Sequence, residues 1–167
     1  GDAADFGDLT APNHEMAAAS SPTRAVFAGG SAPGSSPTIT NKIDLVTIAT
    51  LGDATDFGDL LATRKNMGGV ASQTRMCIGG GVNPALEQSI EYLTIATTGN
   101  TQTFGDLTGS EGRWGCGGTS NSARGVFGGG YDPSPATISL NTMDYITIAS
   151  TGDAKDFGDI GTSSGAN

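Results

Sequence analysis

Short apolar runs separated by turn-forming residues recur along the whole chain. In residues 43–49, which read IDLVTIA, apolar side chains fall on both faces of an alternating strand pattern. A strand with apolar groups on both faces is expected to lie between two neighbouring sheets. No helical periodicity competes with this alternation. The pattern therefore predicts an all-β fold of short strands.

Three landmarks repeat in the same order with a period of about 50 residues. One is an arginine followed by an apolar run and glycines, another is the phrase TIA, and the third is DFGD or TFGD. They occur at Arg24, Arg75 and Arg124, at Thr47, Thr94 and Thr147, and around Phe6, Phe57, Phe104 and Phe157. Each copy reads as four short strands, so the sequence predicts a tandem repeat of one small antiparallel sheet.

These landmarks resemble a kelch repeat. The apolar run ending in Gly29 and Gly30 is similar to the double-glycine strand of kelch repeats, and Phe57 stands where such repeats carry a tryptophan. The phrase MDYITIASTGDAKDFGDI is similar to kelch-type repeats in structural and tail-fibre proteins of marine tailed phages. The resemblance implies a kelch-like β-propeller built from three four-stranded antiparallel blades plus one orphan N-terminal strand.

The repeats set the expected domain boundaries. Residues 1–9 are predicted to be the fourth strand of a preceding blade, residues 13–60, 64–107 and 113–160 to be blades, and residues 161–167 to be a tail or linker. Propellers close with four to eight blades. Three blades therefore predict a larger ring or assembly, with the remaining blades of a longer chain or copies of the same chain as partners.

Composition and charge narrow the classes of partner. The formal net charge is −9, which disfavours nucleic acid because phosphate backbones are also negative. No stretch approaches the roughly 20 apolar residues of a membrane span, so no membrane insertion is expected. The two cysteines are too few for a disulfide-stapled fold.

The sequence offers little for catalysis. The DFG phrase occurs in the magnesium site of protein kinases, but here it recurs in several copies without an HRD motif. His14 is the only histidine, Cys77 and Cys116 align with apolar residues, and the glycine runs lack the lysine of a phosphate loop. We therefore expect a protein that is not an enzyme, with no catalytic residue, metal or cofactor.

Aspartates recur in the segments that contain the DFGD phrase. Asp2, Asp5 and Asp8 align with Asp53, Asp56 and Asp59 and with Asp153, Asp156 and Asp159, whereas the other copy has Asn100, Thr103 and Asp106. A calcium site is one interpretation. We favour another, in which the aspartates bond backbone amides and close the turn between strands three and four. We also predict structural salt bridges from Arg24, Arg75 and Arg124 to Asp5, Asp8, Asp56, Asp59, Asp156 and Asp159.

The opposite end of the blades carries the loops between strands two and three and the loops between one blade and the next. The first of these vary most between copies. Binding residues concentrate on variable loops of a repeated scaffold. The candidate ligand-binding residues are His14, Arg64, Lys65, Arg113, Trp114, Tyr131 and Asp132. An aromatic beside polar groups suits a sugar ring or a peptide. The alternative is that Trp114 only covers the edge of a blade.

The expected function is a non-enzymatic binding or structural module of a phage virion, in a tail fibre or related appendage. It would contact a host-surface glycan, a host-surface protein or a partner subunit through its loops, in a virion or extracellular setting. One alternative is a purely structural spacer or filament protein with no ligand. A remote alternative is an oxidase of the kelch-domain type, which needs metal ligands that this chain lacks.

Overall fold

The computed structural model describes residues 1–34, 38–109, 111–132 and 138–161. Every regular element in these residues is a β-strand, so the prediction of an all-β chain is confirmed. Three four-stranded antiparallel sheets follow one another along the chain, with two additional two-stranded hairpins. The described part of the chain contains no helix that is long and apolar enough to cross a membrane.

We call residues 13–60, 64–107 and 113–160 repeats 1, 2 and 3. The strands of repeat 1 are β1 (Ala17–Ser20), β2 (Arg24–Ala28), β3 (Ser31–Ala32), β4 (Thr38–Ile39), β5 (Lys42–Thr47) and β6 (Thr55–Asp59). Those of repeat 2 are β7 (Gly68–Ala71), β8 (Arg75–Gly79), β9 (Ser89–Thr94) and β10 (Gln102–Asp106). Those of repeat 3 are β11 (Gly117–Ser120), β12 (Arg124–Gly128), β13 (Tyr131–Asp132), β14 (Ile138–Ser139), β15 (Thr142–Thr147) and β16 (Lys155–Asp159).

Each sheet pairs its strands in chain order, and the register is the same in all three copies. The sheets are β1-β2-β5-β6, β7-β8-β9-β10 and β11-β12-β15-β16. The hairpins β3–β4 and β13–β14 lie in the loops that follow β2 and β12. The repeated arginine faces the threonine of the TIA phrase in every copy, with Arg75 opposite Thr94 in repeat 2. The sequence period is therefore a structural period.

The DFGD segments form the outer strands β6, β10 and β16, and each contains a β-bulge. In repeat 1, Asp56 pairs with Asp44 and Gly58 pairs with Ile43, so Phe57 between them has no cross-strand partner. This extra residue joins the apolar core between repeats 1 and 2. A side chain at Gly58 is excluded, because its Cβ would lie 2.5 Å from the Gly99 carbonyl oxygen.

The apolar cores lie between neighbouring sheets. One core joins repeats 1 and 2 and contains Val26, Ile43, Phe57, Leu60, Met67, Met76, Ile78, Leu93 and Ile95 among others. The second joins repeats 2 and 3 and contains Val70, Cys77, Ile90, Phe104, Leu107, Cys116, Phe127, Ile146 and Ile148 among others. Only the sheet of repeat 2 contributes to both cores, so burial of both faces explains the apolar groups on both sides of its third strand.

The first strands of the repeats, β1, β7 and β11, lie next to one another. Only small residues fit there. A Cβ at Gly118 would lie 2.2 Å from the Gly69 carbonyl oxygen, and one at Gly69 would lie 2.7 Å from the Ala18 carbonyl oxygen. The glycine- and alanine-rich composition of these strands therefore permits the close approach of neighbouring backbones.

Residues 1–9 do not form the predicted strand. In the described part of the chain, no strand pairs with them as a ladder. They nevertheless pack along repeat 1, where Gly52 N donates to Phe6 O over 2.9 Å and Ala54 N donates to Asp8 O over 2.8 Å. Equivalent bonds link each fourth strand to the next repeat, as from Gly99 N to Phe57 O at 2.8 Å. Of the predicted tail at 161–167, residues 162–167 lie outside the described residues.

Within the described residues, one face of the last sheet is uncovered, and the opposite face of the first sheet is covered only in part, by residues 1–9. Ile48 of repeat 1 is 43% exposed, whereas its counterparts Ile95 and Ile148 are each 1% exposed. Phe157 of repeat 3 is 48% exposed, whereas Phe57 and Phe104 are each 3% exposed. We call these surfaces the first end face and the last end face. The residues on these two faces are equivalent to residues that are buried wherever two repeats pack against each other.

Candidate binding surface

The loops after the double glycines and the linkers that enter each repeat meet at one end of the sheets, which we call the loop face. Isolated antiparallel bridges join the two sets of segments, from His14 to Ser31, from Lys65 to Val82 and from Trp114 to Tyr131. The aligned residues His14, Lys65 and Trp114 therefore occupy the same position in successive repeats. The structure brings them into one row on the loop face.

A backbone ladder sets the spacing of that row. Asn66 N donates to Glu15 O over 2.9 Å, and Gly115 N donates to Asn66 O over 2.7 Å. Glu15, Asn66 and Gly115 all have positive φ angles near 60–70°, at 61°, 59° and 70°. A residue in the left-handed conformation therefore follows each member of the row and precedes each first strand. The same backbone conformation in each repeat therefore places His14, Lys65 and Trp114 in a row.

Trp114 and Tyr131 form an aromatic pair at one end of the row. Their backbones exchange two hydrogen bonds, of 3.3 Å and 2.9 Å, and their ring centroids lie 5.6 Å apart at an angle of 41°. The double glycine makes this approach possible, because a Cβ at Gly130 would lie 2.9 Å from Trp114 O. Tyr131 is 43% exposed and Trp114 is half-buried. Asp132 follows Tyr131 in β13 and is half-buried.

The other two members of the row are charged or polar and share an acidic partner. Lys65 Nζ lies 2.7 Å from Glu15 Oε2, and His14 Nε2 lies 3.9 Å from the same oxygen. The hydrogen bond from Lys65 lowers the pKa of Glu15 below its usual range. From repeat 1 to repeat 3, the row therefore consists of an imidazole, an ammonium group paired with a carboxylate, and an indole.

Arg64 and Arg113 were predicted to bind ligand, and the structure corrects that prediction. Arg64 is 1% exposed, and its guanidinium lies 2.7 Å from Glu91 Oε1. Arg113 is equally buried, with Nη2 lying 2.7 Å from Asp144 Oδ2. Burial lowers the pKa of Arg64, and Glu91 opposes that shift. Both arginines are part of the scaffold because they neutralise buried carboxylates.

The buried carboxylates themselves were missed by sequence reasoning. Asp44, Glu91 and Asp144 occupy one aligned position in the third strands, and each accepts a backbone amide from the linker that enters its repeat. The sequence does contain a signal for these buried carboxylates, which is an acidic residue inside an otherwise apolar strand, in IDL, IEY and MDY. Such residues are rarely buried without a partner, so that pattern predicts an internal ion pair.

The predicted salt bridges from Arg24, Arg75 and Arg124 to the DFGD aspartates are not formed within the described residues. Arg24 donates to Ile95 O and Ala96 O of the next repeat, each over 2.9 Å. Arg75 donates likewise to Ile148 O over 2.9 Å while stacking on Tyr92. Arg124 stacks on Tyr145. Arg24 and Arg75 therefore join successive repeats through carbonyl oxygens, whereas the aromatic rings under Arg75 and Arg124 belong to the same repeat as the arginine.

The aspartates bond backbone amides, but these amides lie in the DFGD and TFGD segments and not in the turn between strands three and four. Asp5, Asp56 and Asp156 each accept from the glycine two residues later. Asp53, Asn100 and Asp153 accept from the amides of Asp8, Asp59 and Asp106, the last aspartates of the preceding DFGD segments. Asp59 in addition forms an ion pair with Lys42 at 3.1 Å. In the described ranges, no three His, Cys, Asp or Glu side chains converge as a metal site would require.

The two cysteines lie in the core between repeats 2 and 3. Burial raises the pKa of the Cys77 thiol to about 12 and also raises that of Cys116. Thiols with such pKa values stay protonated at neutral pH, and the protonated thiol is not a nucleophile. Both cysteines therefore act as small core residues.

Two comparisons with known proteins complete the description of the site. A scan against protein-family models found no matching family, and a search of curated proteins found no similar sequence.

Proposed function

We propose that this chain is a non-enzymatic binding and structural module made of kelch-like propeller blades, and that its loop face holds a ligand or a partner. Support for blades comes from the arrangement of the sheets. The small first strands β1, β7 and β11 lie together, while the bulkier outer strands carry the DFGD phenylalanines. Sheets that approach closely at their first strands suit the crowded axis of a propeller.

The Trp114–Tyr131 pair is the single observation that carries the binding proposal. Two aromatic rings held 5.6 Å apart, with Tyr131 43% exposed, form an apolar platform beside the polar residues Lys65 and His14. Aromatic platforms with a few polar neighbours suit the apolar face of a sugar ring. Combined with the resemblance of the repeats to those of phage tail-fibre proteins, this favours a host-surface glycan as ligand and a virion or extracellular setting.

A glycan array tests this proposal. We expect the wild-type protein to bind a defined set of glycans, and the Trp114→Ala variant to bind them at least about tenfold more weakly, since a lost aromatic contact costs about 1.4 kcal/mol or more. The Phe6→Ala variant is the matched control, because Phe6 is also an exposed aromatic but lies outside the loop face. Thermal unfolding of each variant separates lost binding from lost folding. Unchanged binding by a folded Trp114→Ala variant would reject the proposed platform.

A second candidate function is assembly, and the two end faces favour it. Arg24 and Arg75 bond carbonyl oxygens of the following repeat, while Arg124 forms no such bond within the described residues. Ile48 O occupies the position of the acceptors Ile95 O and Ile148 O. The last end face therefore carries a donor and the first end face an acceptor. Head-to-tail stacking of two copies would join them, with Phe157 and Ile48 buried at the junction.

Residues 1–9 compete for that junction. They read GDAADFGDL and lie where the fourth strand of a preceding repeat would lie, while residues 152–160 read GDAKDFGDI. Stacking of a second copy must therefore replace residues 1–9 with β16 of the partner. We expect a variant that lacks residues 1–9 to associate more strongly than the full chain.

Sedimentation of paired variants tests head-to-tail assembly. Ile48→Glu disables the first end face and Phe157→Glu disables the last one, so each variant of the shortened chain is expected to sediment as a single chain. Because a head-to-tail junction needs one face from each partner, an equal mixture of the two variants is expected to recover a dimer. A mixture that stays monomeric while the unsubstituted chain associates would exclude this geometry.

A further inference from the structure

Asp44 and Asp144 are the same residue type at the same position, and their surroundings match in two contacts. Thr10 N donates to Asp44 Oδ2 over 3.1 Å and Thr10 Oγ1 to Asp44 Oδ1 over 2.6 Å. Thr108 N donates to Asp144 Oδ2 over 3.2 Å, and Thr108 Oγ1 donates to Asp144 Oδ1. Asp44 is 7% exposed and Asp144 is 0% exposed. Both are buried carboxylates, and each accepts two hydrogen bonds from a threonine in the linker that enters its repeat.

The two sites differ in their cation. Arg113 supplies a third contact to Asp144, at 2.7 Å from Oδ2, and Arg64 supplies the equivalent contact to Glu91. Counting back from the repeated arginine, the residue at this position in repeat 1 is Asn13. Its side chain is neutral and too short to replace a guanidinium. Asp44 is thus the one member of the aligned carboxylates without an arginine partner in the described chain.

Asn13 takes over only part of the role of the arginine. Its Nδ2 donates to Gly29 O over 2.7 Å, just as Arg64 Nη1 donates to Gly80 O over 3.2 Å. The contact to the carboxylate is not replaced. A cavity of about 80 Å³ lies beside Asp44, lined also by Asn13, Met16, Phe27 and Thr40. Its volume exceeds the roughly 30 Å³ that one water molecule occupies in the liquid.

Lys42 also lines this cavity, but its ammonium group is directed elsewhere. Lys42 Nζ lies 3.1 Å from Asp59 Oδ1, its cross-strand partner, and no ion pair joins Lys42 to Asp44 in the described chain. The hydrogen bond that Lys42 donates to Asp59 raises the pKa of Lys42. The pocket therefore keeps a buried carboxylate, a polar rim and space for a planar cation.

We propose that this pocket in repeat 1 binds a guanidinium group supplied from outside the fold, either by a small ligand or by an arginine of another chain. The same fold holds guanidinium groups at the two equivalent places, against a carboxylate and nearby carbonyl oxygens. A planar guanidinium donates in several fixed directions, which suits that set of acceptors better than a compact ammonium does. The inference is independent of the proposed glycan platform.

A titration followed by NMR tests the pocket. Adding methylguanidinium to the ¹⁵N-labelled protein is expected to shift the Thr10 amide signal in a saturable way, with a dissociation constant on the order of 10 mM. In Asn13→Arg the tethered guanidinium fills the site, as it does in repeats 2 and 3, and the shift is expected to disappear. It is also expected to disappear in Asp44→Asn. Methylammonium at the same concentrations is the control for a simple charge effect.

Two outcomes would overturn the proposal. One is an unsaturated shift of equal size in the wild-type and Asn13→Arg proteins, which would indicate nonspecific solvent effects. The other is binding that appears only in Lys42→Met, because Lys42 would then neutralise Asp44 in the native protein. Sedimentation velocity distinguishes the sources of the group. If a second copy supplies it, methylguanidinium dissociates a dimer, and if a small ligand supplies it, methylguanidinium leaves the sedimentation coefficient unchanged.

Discussion

Replacing Arg113 with alanine is expected to lower the free energy of unfolding by about 3–5 kcal/mol, the range for breaking a buried ion pair on one side. Asp144 is 0% exposed, and the guanidinium at 2.7 Å is its cation. The substitution also removes the donor that reaches Phe127 O over 3.3 Å. Urea unfolding measured by circular dichroism gives the change as a lower transition midpoint with an unaltered slope.

Repeat 1 provides the matched control, because it carries Asn13 where repeat 3 carries Arg113. The Arg113→Asn variant reproduces that natural arrangement and keeps an amide donor for the neighbouring carbonyl oxygen, so it is expected to lose less stability than Arg113→Ala. Adding Asp144→Asn to Arg113→Ala is expected to recover part of the loss, since no buried charge then remains. A loss below about 1 kcal/mol in Arg113→Ala would mean that Thr108 alone compensates Asp144.

Phe57→Ala is expected to cost about 3–5 kcal/mol, whereas Phe157→Ala at the equivalent position is expected to cost less than about 1 kcal/mol. The two phenylalanines share the phrase DFGD and the same bulged strand, but only Phe57 has a following repeat packed against it. Their exposures of 3% and 48% express that difference. Parallel urea titrations of the two variants at low protein concentration measure both values.

This comparison separates the contribution of strand structure from that of stacking between repeats. The glycine and the register of the bulge are the same in repeats 1 and 3, and Phe157 in addition contacts Tyr145 of its own repeat. A larger loss for Phe57→Ala than for Phe157→Ala therefore comes from the neighbouring sheet. Equal losses would show that the last end face is covered in solution. Repeating the measurement on the chain without residues 1–9 then identifies self-association as the cause or excludes it.

The strand pattern and its period were readable from the sequence because they depend on local residues. Small residues in the first strands, the double glycines and the DFGD bulge recur in every copy, and each has a backbone cause such as the 2.2 Å approach at Gly118. Residues 1–9 were harder to assign, because their sequence matches a strand while strand formation also needs a partner that the described chain does not supply.

The side-chain partners could not be predicted, because they join different repeats. Arg24 resembles a residue that should bind an aspartate of its own repeat, yet it reaches carbonyl oxygens 71 and 72 residues further along the chain. Arg64 sits beside the variable Lys65, which suggested the surface, but its guanidinium turns inward to Glu91. Burial of that kind is decided by the packing of neighbouring sheets, which a single sequence does not specify.

The buried carboxylates also bear on how the protein is made. Each linker is held by a carboxylate that lies 34, 30 or 36 residues later in the chain, at Asp44, Glu91 and Asp144. Domains and modules form from the N-terminus during translation. A linker that leaves the ribosome therefore stays without its carboxylate partner until the third strand of the repeat that it enters has also emerged.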